Sequence, residues 1–278
     1  MMIIMSALPR ALRIAAVIPL LMVAGFPLYW MFVTSLTPSS QLFAPVPQIL
    51  PSWGEAGVYR DVFQKIPVAT WLLNSLIVAA GTTLLSIAIA LFPAYALSRF
   101  KFAGKGFMGL SLFATQMLPE AMLVVPLYAL FGQLHLLNTL VALILANTAF
   151  TVPVVVWILK SAIDGVPEEI EEAALIDGCT QAGLVWRIVL PLIAPSLAAA
   201  SVIAFFHGWN EYVFAQTLVS SESLRTASVG LAGFVGELST PIHTVMSIAV
   251  IYTVPAVIFY LFVQRHLVGG MTAGGVKG

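Results

Sequence analysis

Six apolar stretches, at about residues 12–36, 70–98, 107–132, 138–160, 184–217 and 242–265, leave this chain little choice but to be an all-α integral membrane protein with six transmembrane helices. A helix rises about 1.5 Å per residue, so roughly 20 apolar residues cross a hydrocarbon layer of about 30 Å. Lipid offers no partner for backbone amides, so each stretch must close its own hydrogen bonds. The 278 residues are 60% hydrophobic and only 9% charged, with a mean hydropathy of +1.01. That balance excludes an ordinary soluble protein. We read residues 1–278 as a single transmembrane domain. Ile14 to Val33 follows Arg10 and Arg13 as a signal peptide would, yet it is long enough to span and lacks an Ala-x-Ala-like cleavage end. It reads as a retained first helix.

Basic residues set the orientation, because Lys and Arg are retained on the cytoplasmic side. With the N-terminus inside, the inner segments hold Arg10, Arg13, Arg99, Lys101, Lys105, Lys160, Arg187, Arg265 and Lys277, and the outer ones hold Arg60, Lys65 and Arg225. Nine against three puts both termini and the segment 161–183 in the cytoplasm. Zero formal net charge gives no global field for a nucleic-acid partner. The proline-dense segment 37–69 is expected to be an extended cap rather than a helix, with Trp53 and Trp71 as headgroup anchors. Residues 218–241 are expected to form a loop.

Polar residues inside the spans are pathway candidates, each with a plainer alternative. Gln116 and Glu120 flank Pro119, where a discontinuous helix lines a pathway, or where Glu120 merely complements the N-terminus of a half-helix. Asn147 lies mid-span beside Thr148 and Thr151, which are expected to pack against neighbouring helices. Trp209, Asn210, Glu211 and Tyr212 close the fifth span, either as an interfacial belt or as a substrate-facing cluster that pairs aromatic faces with planar hydrogen-bonding groups. His135, His207, His243 and His266 lie on different segments, and Cys179 has no ligand companion, so no metal site is expected.

Between the fourth and fifth spans lies a polar island that holds six of the twelve acids, from Asp164 to Asp177. Pro167 suits a first helical turn, and Glu168, Glu169, Glu171 and Glu172 suit the positive end of a helix dipole. Gly178 suits a left-handed terminus. Ile163, Val166, Ile170 and Ala173 or Ala174 recur at helical spacing, which gives a shallow apolar stripe. Such a helix fits a partner's groove, or lies solvated on the membrane surface. Anionic headgroups would repel its glutamates.

Glu172-Ala173-Ala174, a glycine four residues on at Gly178, nine intervening residues and then Ile188-Val189-Leu190-Pro191 is similar to the EAA signature of membrane subunits of bacterial ABC importers. The Gln116-Met117-Leu118-Pro119 turn, the Trp209-Asn210-Glu211 segment and the Thr272-Ala273-Gly274 tail resemble the maltose-type sugar branch, in which trehalose importers are one candidate. The resemblance implies a short cytoplasmic coupling helix. It implies ATPase-coupling roles for Glu168, Glu171, Glu172, Ala173, Ala174, Leu175, Asp177, Gly178, Ile188, Leu190 and Pro191. It further implies a homologous second membrane subunit, two cytoplasmic ATPases and an extracytoplasmic sugar-binding protein. The chain has no Gly-x-x-x-x-Gly-Lys-Ser/Thr loop to cradle phosphates. ATP and magnesium are therefore expected on the partner ATPase, with no cofactor and no catalytic residue on this chain. The alternative reading is a secondary transporter or channel not driven by ATP.

Overall fold

The computed structural model describes residues 10–235 and 241–273, with side chains described for residues 15, 17–235 and 241–265. Among the described residues the regular structure is helical throughout. Four helices are long and apolar enough to cross a membrane, or six if each of two bent pairs is one crossing. The chain divides into two compact units, 1–68 with 231–254, and 69–230 with 255–278.

The first unit begins with α1 (Arg10–Ser35), whose large apolar side chains from Leu20 to Val23 are exposed, as a lipid-facing surface requires. The segment after α1 departs from the expected extended cap. It holds a 3-10 turn at Trp53–Glu55 and the helix α2 (Gly57–Lys65). No proline lies between Pro51 and Pro67, so a helix can form there. Asp61 and Lys65 pair at 2.8 Å one turn apart, and Lys65 meets the negative end of the dipole. Tyr59 ties α2 to α1 through a 2.7 Å hydrogen bond with Ser35.

The second unit contains α3 (Val68–Arg99) from Ala69 on, α4 (Lys105–Thr115), α5 (Glu120–Gln133), α6 (Leu140–Asp164) and α7 (Glu168–Ile176). It continues with α8 (Gln181–Leu192), α9 (Ala194–Asn210) and α10 (Val213–Leu218). Two further helices, α11 (Ala227–Val235) and α12 (Ile242–Ala273), contribute to both units. One core joins Leu91 and Leu97 of α3, Val156 and Leu159 of α6, Ala174 of α7, Leu184 and Val189 of α8 and Ala204 of α9. A second joins Val78, Phe131, Leu143, Phe214 and Val229. Thr139 caps α6 by accepting from Ala142 N at 3.2 Å.

Three expectations change. The fifth apolar stretch is not one helix, since α8 and α9 meet at 82°. Pro191 and Pro195 lie one turn apart, and Pro195 has no N–H for the carbonyl of Pro191; it sits instead in the first turn of α9, where that N–H is not needed. The segment after α10 is not all loop, because α11 forms within it. Trp71 is not an exposed anchor, being only 3% accessible. α12 runs through Gly269 and Gly270 to Ala273, because a helix already nucleated propagates over residues that would not start one. Residues 274–278 of the tail lie outside the described residues. Pro93, Pro126, Pro153 and Pro255 stay inside continuous helices, whereas the chain breaks at Pro119, where α4 and α5 meet at 97°.

Candidate functional site

The polar island folds as α7, with Pro167 at the N-cap rather than in the expected first turn. Its end is a Schellman motif. Cys179 N donates to Ala174 O at 3.0 Å and Gly178 N donates to Leu175 O at 3.1 Å, with Gly178 at φ +86°. Thr180 then caps α8, accepting from Gly183 N at 3.1 Å. Residues Val185–Val189 are wound as a π-helical turn, so the Arg187-Ile188-Val189-Leu190-Pro191 stretch enters α8 as a local irregularity of the kind found at functional sites.

The four glutamates of α7 do not share one environment. Glu168, Glu169 and Glu172 are exposed, as are Ala173, Leu175, Asp177 and Gly178. Glu171 is buried with Ala174 on the face that packs into the core, where the expected stripe had Ile170, which is exposed. The Glu171 carboxylate accepts from Arg99 Nε at 2.8 Å and from the Tyr95 hydroxyl at 2.8 Å. Arg99 Nη2 lies 2.7 Å from Glu171 Oε1, with both side chains under 10% accessible. The same nitrogen donates to the carbonyls of Ile163 at 2.9 Å and Val166 at 2.7 Å. Arg99 therefore joins the end of α3, the end of α6 and α7. Ser98 and Lys160 hold Asp164 beside it, each at 2.6 Å. Tyr95 and Arg99 were missed in the sequence, where an arginine at the end of a span signals only orientation.

The pathway candidates are dispersed. Gln116 and Glu120 lie at the α4–α5 break, where Gln116 Nε2 donates to Phe150 O at 3.0 Å beside an apolar cavity of about 320 Å³. Glu120 opens α5, and its Oε1 lies 3.8 Å from Nε2 of His207, a third residue for which the sequence signalled no such role. Asn147 is buried, with Nδ2 donating to Leu143 O at 2.8 Å. One turn on, Thr151 pairs with Ser86 of α3, the packing role expected of it. Trp209 is 1% accessible and stacks on Phe205, which in turn stacks on Phe259 at 3.7 Å, so it is a core residue rather than part of a belt. Asn210 and Tyr212 are exposed.

Glu211 is buried, and its carboxylate caps α10, accepting from Phe214 N at 2.6 Å and Ala215 N at 2.9 Å. Glu211→Ala should lower stability by about 0.5–2 kcal/mol, read as a lower melting temperature in detergent, and Glu211→Gln by less. A changed uptake rate with unchanged melting would instead assign Glu211 to the pathway.

The sequence profile described as "Binding-protein-dependent transport system inner membrane component" matches residues 86–273, from the middle of α3 to the end of α12. The chain belongs to this family. This inner membrane component is 34% identical over 97% of its length to the sulfoquinovosyl glycerol transport system permease protein SmoH of Agrobacterium fabrum, covering 94% of that protein. It is 34% identical to the trehalose/maltose transport system permease protein MalG of Thermococcus litoralis, covering 98% and 99% of the two chains. To the trehalose transport system permease protein SugB of Mycobacterium tuberculosis it is 32% identical, covering 92% and 93%. Its fold matches a chain of a bacterial ABC transporter involved in the import of the acidic polysaccharide alginate, with a TM-score of 0.75 and 20% identity over 93% of this chain and 98% of that one. The inner membrane component so described is membrane-spanning and helical. Among the described residues it has no group of three or more His, Cys, Asp or Glu side chains placed to hold a metal ion.

Proposed function

We propose that this chain forms half of the translocation pathway of an ATP-driven sugar importer and couples it to cytoplasmic ATPases by alternating access. The chain is one transmembrane domain of six crossings, each bent pair counting as one, with both termini in the cytoplasm. α7 is the coupling helix. Its exposed Glu168, Glu172, Ala173, Leu175, Asp177 and Gly178 meet the ATPase, while Ile188, Leu190 and Pro191 pass displacement into α8 and α9. The observation that carries the reading is α7 itself: a short helix with exposed acids on one side and its other side rooted in the core by Glu171 and Ala174. Its partners are a homologous second membrane subunit, two ATPases that hold ATP and magnesium, and an extracytoplasmic sugar-binding protein. The relatives named for trehalose, maltose and a sulfoquinovosyl glycoside support a disaccharide- or glycoside-sized substrate. Gln116, Glu120, Asn147, Trp209, Asn210, Glu211 and Tyr212 are the pathway candidates; Gln116 and Glu120, at the break between α4 and α5, are the best placed of them.

The test is reconstitution in lipid vesicles with the ATPases and binding protein, scoring uptake of trehalose, maltose and sulfoquinovosyl glycerol. ATP-dependent uptake of one of them is expected. Uptake by the chain alone, indifferent to ATP, would sink the reading in favour of a secondary transporter or channel. Gly178→Leu should reduce uptake about tenfold while the protein still inserts. A side chain at φ +86° costs about 1–2 kcal/mol and redirects the turn into α8. Wild-type uptake by that variant would remove Gly178 from the coupling path.

A further inference from the structure

We propose that Arg99 is a tether that makes α7 move as one body with the end of α3, and that Glu171 is spent inside this chain rather than offered to a partner. The inference rests on the reading of α7 as the ATPase docking helix, and it divides that helix's acids by task. A glutamate that meets another protein must have free lone pairs and an open approach. Glu171 lacks the open approach and has most of its lone pairs taken, since it is buried, one carboxylate oxygen faces Arg99 Nε and Nη2, and the other accepts from Tyr95. Glu168, Glu169 and Glu172 have the open approach.

The guanidinium is suited to a tether because it is a planar fork whose donors are fixed relative to one another. Here Nε and Nη2 face Glu171, Nη2 also donates to the carbonyls of Ile163 and Val166, and Nη1 donates to Ser98 Oγ at 3.3 Å. Ile163 is in the last turn of α6, and Val166 lies in the two-residue link that precedes Pro167. Three chain segments are thus fixed to one rigid group, and α7 cannot tilt without either breaking buried charge-assisted hydrogen bonds or carrying the end of α3 with it. A docking stroke on α7 then enters the bundle through two routes, forward along the chain into α8 and sideways through Arg99 into α3. Arg99 and Tyr95 are positioning residues in this arrangement and touch neither nucleotide nor substrate.

The experiment uses the complete complex in vesicles, with spin labels at Phe102→Cys and Ile176→Cys, both at exposed positions, on a Cys179→Ser background that removes the only cysteine. Arg99→Lys keeps the charge but not the fork, and Glu171→Gln keeps the shape but not the charge. Each should broaden the distance distribution between the labels and lower sugar moved per ATP hydrolysed about tenfold. The two together should be no worse than either alone, because both remove one joint. Tyr95→Phe, which removes one hydrogen bond, should have a smaller effect on both readings. Glu172→Gln should weaken capture of the ATPases and leave the distance distribution narrow. A narrow distribution with a wild-type transport ratio in Arg99→Lys and Glu171→Gln would overturn the tether. Unmutated complex that moves no sugar with ATP would refute the docking reading instead, and the label distances would still report whether Arg99 holds α7.

Discussion

Arg99→Ala should destabilise the second unit by about 3–5 kcal/mol, the cost typical of removing one partner from a buried ion pair. The variant leaves the Glu171 carboxylate buried with only Tyr95 donating to it, and it strips a donor from the carbonyls of Ile163 and Val166. The charge is the larger part of the loss, because an ionised carboxylate in a low-dielectric site without a counter-ion is costly. Replacing both residues at once, Arg99→Met with Glu171→Leu, should cost markedly less, since nothing charged is then left unpaired. Thermal unfolding of the purified protein in detergent measures both. A single variant as stable as the parent would mean that the pair is solvated and its geometry carries no energy.

Gly230→Ala should destabilise by about 1–3 kcal/mol, in the opposite sense to helix propensity. Gly230 is inside α11, where alanine is intrinsically favoured over glycine by about 0.8–1.0 kcal/mol. A β-carbon at this position would lie 2.3 Å from Cε3 and 2.5 Å from Cδ2 of the buried Trp71 ring. The contact is firm because the segment leading into α11 is pinned to the start of α3. Asn74 Nδ2 donates to the carbonyls of Ser223 and Arg225, both at 3.0 Å, and Ser75 Oγ accepts from Ala227 N at 2.8 Å. Trp71→Leu should make Gly230→Ala better tolerated than it is beside Trp71, a non-additivity that a melting-temperature cycle detects. A stabilising Gly230→Ala would show that α11 is not seated on Trp71.

Long helices were legible because lipid leaves an apolar run one way to satisfy its backbone. The stretch expected at 70–98 is α3 at Val68–Arg99, and the one at 138–160 is α6 at Leu140–Asp164. The left-handed Gly178 was legible for a similarly local reason, since only glycine accepts that φ freely. The short helices α2 and α11 were not legible. Each is about nine residues, too short to be stable alone, and each is held by side chains far along the chain, such as Ser35 for Tyr59 and Trp71 for Gly230. The bend between α8 and α9 was written in Pro191 and Pro195, but Pro93 in α3 and Pro153 in α6 cause no break, so the presence of proline alone does not locate one.

The sequence by itself determined that this chain is helical and membrane-embedded, and that an acidic helix interrupts it between Pro167 and the left-handed Gly178. Those properties belong to single residues and their neighbours, so they can be read along the chain. Only the tertiary structure decided that Glu171 is a buried anchor while Glu168, Glu169 and Glu172 remain free to meet a partner. Four glutamates in five residues have the same chemistry until Arg99, 72 residues away, is brought against one of them. Desolvation and pairing depend on what surrounds a charge in space, which sequence order does not contain.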